Sequence, residues 1–331
     1  MELLVLGGTE FVGRAVVEDA VERGWGVTVF NRGNREVPRG VRGLRGDRAK
    51  GELGELAAGE WDAVVDTWSG DPAAVRDAVR VLGGRVGRYG YVSSRSVYAY
   101  PAGAGLDEDG ALVDGKGDDY ADVKRAGEMA AQEAYGDAAL LVRAGLILGP
   151  YENIGRLPWW LRRIARGGEV LAPGPRESAL QYIDVRDLAG WTLDALAAGL
   201  GGPYNLVSPP GHTTMGELLE TCVRVTGSDA ALRWVAPEVV EAAGIEPWTD
   251  LPVWLPPGEL HDTLHRGDVR KALGAGLRCR PVGETVADTW RWLEGIGGVA
   301  PQRPDREPVG LDPEVERGVL DGLDGLGELA G

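Results

Sequence analysis

Leu3-Leu4-Val5-Leu6-Gly7-Gly8-Thr9-Glu10-Phe11-Val12-Gly13 reads as a short buried strand, a glycine turn and the opening of an amphipathic helix. That order of elements cradles a pyrophosphate. The turn brings backbone amides to the anion, and the helix N-terminus adds unpaired N–H groups and the positive end of its dipole. Gly7 and Gly8 let the backbone approach the phosphates, Gly13 lets the helix pack against the strand, and Thr9, Glu10, Phe11 and Val12 line the turn between them. A glycine-rich turn alone is often only a turn. Its place between a strand and an amphipathic helix makes this one a candidate dinucleotide site.

Downstream, apolar runs alternate with amphipathic stretches, the pattern of a parallel sheet covered by helices. Strands are predicted at 3–6, 27–30, 41–45, 63–66, 89–93 and 140–142, and helices at 11–22, 72–82 and 120–135. Asp71-Pro72 marks one helix start, with an N-cap and a proline at the first helical position. After Gly149-Pro150 the chain turns to short helices separated by Gly- and Pro-rich turns, while 181–183, 185–198 and 204–207 read as strand, helix and strand returning to the sheet. The expected fold class is α/β: a Rossmann-type doubly wound parallel sheet over 1–150 with a return segment at about 181–207. A smaller C-terminal substrate-binding lobe is expected from 151–180 and 208–300, followed by an acidic tail at 301–331.

A chain of 331 residues with 44% hydrophobic content can bury a large core. Its net charge of −16 repels phosphate backbones and anionic lipid, which excludes nucleic acid and membrane as main partners and leaves a small molecule. No apolar run approaches the roughly 18 residues of a membrane span, and Met1 leads straight into a strand, so a cytoplasmic location is expected. Two cysteines, Cys222 and Cys279, support neither a disulfide framework nor a cysteine zinc site. His261-Asp-Thr-Leu-His265 has i, i+4 spacing but offers no further ligand, so no metal is expected.

The second predicted strand ends Val29-Phe30-Asn31-Arg32, without the acid that bonds a ribose 2′-hydroxyl in NAD-binding proteins. Arg32, with Arg14 and Arg35, would instead hold a 2′-phosphate, which favours NADP(H) over NAD(H); the alternative is three solvated arginines. Asp47 is placed to contact the adenine amine, and Thr67 and Trp68 to wall the cofactor from behind. Tyr120-Ala-Asp-Val-Lys124 sets a phenol and an ammonium one helical turn apart. A free phenol has a pKa of roughly 10, and a nearby ammonium favours the phenolate, so Tyr120 becomes a usable acid or base. Ser94, where a strand runs into hydroxyls, falls at the sheet edge where ligands bind in this architecture.

These features together resemble the extended branch of the short-chain dehydrogenase/reductase superfamily, the NAD-dependent epimerase/dehydratase-like proteins. The resemblance rests on Gly7-Gly8-Thr9-x-Phe11-Val12-Gly13, Ser93-Ser94-x-x-Val97-Tyr98, Tyr120-x-x-x-Lys124, Arg143-x-Gly145 through Gly149-Pro150, and Tyr182-Ile-Asp-Val185-x-Asp187. It implies that Ser94 orients the substrate oxygen, Tyr120 exchanges its proton, and Lys124 holds the nicotinamide ribose. A homodimer is the family expectation. Three departures stand out: Glu10 replaces the middle glycine, Asp66-Thr-Trp68-Ser69 replaces the usual small-residue wall, and Leu180 stands where sugar-nucleotide members carry a diphosphate-gripping arginine.

Tyr151, Asn153, Trp159, Gln181 and Tyr182, with Arg95 beside the serine, form the expected substrate surface; it is mostly aromatic and suits a flat or apolar carbonyl compound. The leading expectation is an NADP(H)-dependent oxidoreductase that reduces a carbonyl or oxidises an alcohol, with Tyr120 as proton donor or acceptor. One alternative is an epimerase, dehydratase or isomerase with tightly bound nicotinamide cofactor. Another is a non-catalytic cofactor-binding sensor.

Overall fold

The computed structural model describes residues 1–328, with side chains through 323. In chain order the first elements are β1 (Glu2–Leu6), α1 (Phe11–Glu22), β2 (Gly26–Asn31), β3 (Arg42–Arg45), β4 (Trp61–Asp66), α2 (Ala73–Leu82), β5 (Val86–Ser94), α3 (Tyr120–Tyr135) and β6 (Ala139–Ala144). They are followed by β7 (Leu146–Leu148), α4 (Arg156–Ala165), β8 (Glu169–Pro173), β9 (Ala179–Leu180), β10 (Tyr182–Asp184), α5 (Val185–Ala197), β11 (Gly202–Leu206), β12 (Thr213–Thr214), α6 (Met215–Thr226) and β13 (Ala231–Val235). The last helices are α7 (Pro237–Ala242), α8 (Glu259–His265), α9 (Arg270–Gly274), α10 (Val282–Gly295) and α11 (Pro313–Glu328). The chain divides into two compact units. The first is Met1–Ile147, Ile183–Ser208 and Gly267–Cys279; the second is Leu148–Tyr182, Pro209–Arg266 and the chain from Arg280 onward.

Seven parallel strands build the first unit, in the order β11-β6-β5-β4-β1-β2-β3. The chain winds outward from β1 to β3 and then returns to β4, so the winding reverses between β1 and β4, whose carboxyl ends open the crevice where this fold takes ligands. Leu3, Leu4, Val5 and Leu6 are all buried because both sheet faces are covered. Leu4, Leu6, Val64, Tyr89 and Tyr91 share a core cluster with Val75, Val79 and Leu82 of α2 and Ala130 and Ala131 of α3. Strand alternation turns Gly90 to the other face, under Leu196 of α5, which packs on α1.

The predicted strands and helices of this unit appear within a few residues of their expected bounds. The cap at Asp71 is shifted by one: its carboxylate accepts the Ala73 N–H at 2.8 Å, and Pro72 precedes the helix. The segment from Gly267, expected in the smaller lobe, packs here instead. Lys271 Nζ donates to the Pro203 carbonyl at 2.7 Å, and Asn205 Nδ2 to that of Asp268 at 3.2 Å. Sequence separation of more than sixty residues hid that pairing.

In the second unit β8 pairs in parallel with β13 and β9 antiparallel with β12, and α4, α6 and α10 pack together. The strand expected at 181–183 to return to the main sheet does not join it: the segment breaks at Gln181 into β9 and β10, neither of which belongs to the seven-stranded sheet, so β11 alone makes the return. Trp160 is fully buried and donates to the Pro252 carbonyl at 2.7 Å. The chain beyond 301, expected as a tail, docks through Glu316: its carboxylate accepts from Arg163 Nε at 2.6 Å and the Leu171 N–H at 3.1 Å. No described helix is long and apolar enough to cross a membrane.

A buried ion pair fastens the carboxyl end of β4. Asp66 accepts from Arg48 Nη1 and Nη2 at 2.6 and 2.8 Å, from the Tyr89 hydroxyl at 2.5 Å and from the Trp68 N–H at 3.0 Å. Burial works to raise the Asp66 carboxyl, but the Arg48 charge and these bonds hold it below the usual carboxylate value. Asp66→Asn keeps the shape and strands a buried guanidinium. It is expected to lower unfolding free energy by about 3–5 kcal/mol in denaturant titration, and a loss below about 1 kcal/mol would mean the pair does not hold this end of the sheet.

Candidate functional site

The turn after β1 has the shape the sequence calls for. Gly7 and Gly8 have φ of +119° and +88°, a region side-chain-bearing residues rarely enter. A Cβ on Gly13 would sit 2.5 Å from the Gly8 nitrogen, so α1 rests directly on the turn. Phe11, at φ +34°, is the strained step into the helix; Phe11 and Val12 are buried beneath the turn, and Thr9 is half-buried. Thr67 Oγ1 donates to the Leu6 carbonyl at 3.1 Å and closes the turn from the β4 side. At the end of β2, Asn31 Oδ1 accepts the Gly33 N–H at 2.7 Å, while its Nδ2 is buried with no hydrogen-bond partner. A cradle free of side-chain carbons and an orphaned donor at the next strand end both fit a dinucleotide.

Three residues expected at the cofactor have protein partners. Arg35 Nε lies 3.0 Å from Glu10 Oε1, so it neutralises the carboxylate that replaced the motif's middle glycine. Arg14 pairs with Glu18 at 2.8 Å on its own helix. Asp47 Oδ1 accepts the Ala49 N–H at 3.1 Å and caps the short turn that carries Arg48. Arg32 follows the last residue of β2 and is exposed.

Ser94 ends β5, and its Oγ accepts the Ser96 N–H at 3.1 Å. Tyr120 opens α3 as its first residue, 38% exposed, after the N-cap Asp119, whose side chain accepts from the Asp122 N–H. Lys124, one turn on, is buried; its Nζ donates to the carbonyls of Trp68 and Val92 at 2.6 and 2.8 Å and lies 4.9 Å over the Tyr91 ring. The unusual Trp68 thus has a structural use. Its carbonyl accepts from Lys124 and from the Tyr91 hydroxyl, and its ring lies under Arg48. Arg143 Nε and Nη2 bond both oxygens of Glu128 at 2.9 and 3.1 Å, which fastens α3 to β6. Arg95 is buried, its guanidinium against the Gly267 backbone, and burial lowers its pKa.

The remaining predicted residues belong to the second unit. Tyr151 has φ +71°, and its ring meets Trp292 edge-on at 5.8 Å. Asn153 is buried, its carbonyl accepting the Arg303 N–H at 3.0 Å. Trp159 packs edge-on against Trp160 and under the Gly310 backbone, a position that secures the tail and leaves that face no room for a ligand. Gln181 and Tyr182 are buried; the Gln181 N–H donates to His265 Nδ1 at 3.2 Å, and the Tyr182 ring lies 6.0 Å from that of His212. The rings of His261 and His265 are 5.2 Å apart, and the described residues hold no group of three or more metal-ligating side chains.

Sequence reasoning missed the buried charges: Arg48 with Asp66, Glu128 with Arg143, and Glu152. An acid ending a buried strand was the only signal for Asp66. Glu152 is fully buried, and its carboxylate accepts the N–H groups of Arg156 and Leu157 at 2.7 and 3.3 Å, capping α4.

A model of the NAD dependent epimerase/dehydratase family matches residues 3–206. No curated protein matches the chain. Among solved structures, the enzyme WbmF of Bordetella bronchiseptica in complex with NAD+ aligns at TM-score 0.64 and 17% identity, over 98% of this chain and 97% of that one. The UDP-glucose 4-epimerase of Thermotoga maritima with UDP-glucose aligns at 0.68 and 18%, over 89% and 99%. The dTDP-glucose 4,6-dehydratase of Bacillus anthracis with NAD aligns at 0.63 and 15%, over 90% and 97%.

Burial pushes the Glu152 carboxyl up to about 7. A carboxyl raised on folding adds stability that is fully present below its unfolded value and is lost as pH rises through the folded value. Glu152→Gln removes this titration. Thermal unfolding should therefore show the variant gaining on the parent between about pH 5 and about pH 8, whereas a gap independent of pH would mean the carboxyl ionises normally.

Proposed function

The chain belongs to the NAD dependent epimerase/dehydratase family, of the extended short-chain dehydrogenase/reductase type, and on that footing we propose that it carries out epimerase- or dehydratase-type chemistry on a small molecule with a nicotinamide dinucleotide held at β1 and β2. The observation that carries this reading is Lys124, buried beside β5 while Tyr120 stands exposed one turn earlier on the same helix. When bound, the nicotinamide accepts or returns hydride. Tyr120 takes the hydroxyl proton of the substrate as its carbon is oxidised and gives it back on reduction. Ser94 orients the same oxygen, and Lys124, with two N–H groups committed to main-chain carbonyls, is held where the nicotinamide ribose is expected. The missing acid at Asn31-Arg32 supports NADP(H) over NAD(H), although the Bordetella and Bacillus structures carry NAD.

A second reading, net reduction of an aromatic or apolar carbonyl compound, is favoured by Leu180. That residue is buried in β9, paired with Thr213, and offers no charge to a diphosphate.

Two panels separate the readings: nucleoside diphosphate hexoses and aromatic ketones, each incubated with NADPH and with NADH. Product formed without net loss of nicotinamide absorbance supports the first reading, and stoichiometric NADPH loss on a ketone the second. Tyr120→Phe is expected to cut turnover by about 10²- to 10⁴-fold in either case and to leave nicotinamide binding unchanged within about twofold. Full turnover by that variant would remove Tyr120 from the chemistry.

A further inference from the structure

Residues 32–50 hold six arginines and one lysine against two acids, in a chain whose net charge is −16. A local positive field in an acidic protein calls for an account. Arg48 is spent on Asp66, and Arg35 on Glu10. Arg42 begins β3, three residues before its carboxyl end, so about 10 Å separates it from that edge. Arg39 lies three residues before β3, further still from that edge, and Lys50 pairs with Asp47 at 3.8 Å. Arg32 and Arg45 remain, and the sheet brings them together: in the parallel register Asn31 is paired with Arg45, so the two arginines flank one strand end.

Arg45 is anchored toward that position. Its Nε donates to the Arg32 carbonyl at 3.2 Å, and a Cβ on Gly33 would fall 2.7 Å from Nε and 3.1 Å from Cζ, so the guanidinium lies over the Arg32-Gly33 turn. Its own N–H is bonded to Glu55 at 2.7 Å, on the open side of β3, away from β2. Arg45 is exposed, and its two terminal nitrogens make no bond to another described residue. Two forked donors at one strand end, beside the orphaned Nδ2 of Asn31, suit the oxygens of a dianionic phosphate.

We propose that Arg45, from the neighbouring strand, clamps the 2′-phosphate of NADP(H) together with Arg32, and that Arg35 adds no net charge there because Glu10 offsets it. This rests on the reading that the site takes a nicotinamide dinucleotide. Preference for the phosphorylated cofactor then comes from an edge-strand residue that the glycine motif does not reveal. Glu10 and Arg35 cancel each other beside the pyrophosphate, and the positive charge that selects the cofactor lies one strand further out.

Direct binding tests this without any substrate. Parent, Arg45→Gln, Arg45→Lys, Arg32→Gln and Arg35→Gln are titrated with NADPH, NADH and adenosine 2′,5′-bisphosphate by tryptophan quenching and calorimetry, with thermal unfolding to verify folding. The expected result is that Arg45→Gln and Arg32→Gln each weaken NADPH and the bisphosphate about tenfold and leave NADH within about twofold. Arg45→Lys should recover part of the loss, and Arg35→Gln should leave the NADPH-to-NADH ratio within about twofold. Equal losses for both cofactors in Arg45→Gln, or none, overturn the proposal. So does unchanged NADPH affinity with new self-association, which would make Arg45 a guard on the open edge of β3. Failure of the parent to bind any of the three ligands overturns the dinucleotide reading itself.

Discussion

The contact between Gly13 and the Gly8 amide governs the candidate site. With no side-chain carbon at residue 13, the first turn of α1 lies directly on the glycine turn, and a Cβ there would stand 2.5 Å from a backbone nitrogen. That approach aims the free amides of the helix at the space beyond β1. It also sets how α1 lies on the sheet, where it packs with α5, while Thr67 on the β4 side closes the same turn through the Leu6 carbonyl. The crevice between β1 and β4 is thus defined by backbone atoms before any functional side chain is considered.

Buried charge then positions the side chains. Asp66 holds Arg48 and Tyr89 at the end of β4, and the carbonyl of Trp68, two residues on, accepts from Lys124 and Tyr91. Glu128, one turn beyond Lys124, is held by Arg143 of β6. The helix bearing Tyr120 and Lys124 is therefore tied to β5, to β6 and to the segment that follows β4. Pairs of this kind add little stability relative to an apolar core, but removing one partner is costly, so they fix the register of α3 on the sheet.

The departures from the family pattern are compensated locally. Glu10 brings a negative charge to the glycine turn, and Arg35 offsets it. An exposed pair of this sort is worth about 0–1 kcal/mol, so it serves the electrostatics of the cradle more than the stability of the fold. Trp68, in place of a small wall residue, lays its ring under Arg48 and donates its indole N–H to the Asp71 carbonyl at 2.8 Å.

The parallel sheet, the glycine turn, the place of Ser94 at a strand end and that of Tyr120 and Lys124 one turn apart on a helix could be read from residue order, because strand and helix periodicity and the i, i+4 spacing are local properties of the chain. So could the absence of an acid at Asn31-Arg32. Local patterns said nothing about partners far apart in sequence: Arg48 with Asp66, Glu128 with Arg143, the segment from Gly267 against β11, and Glu316 on Arg163. The aromatic residues after Pro150 show the same limit, since Trp159 looked like a ligand surface and is packed under Gly310. Charge identity is written in the sequence, but which charge neutralises which depends on the register of neighbouring strands. Arg35 meets Glu10 of the glycine turn while Arg45 lies over the Arg32-Gly33 turn because β1, β2 and β3 are neighbours in one sheet, and only the folded sheet determines that.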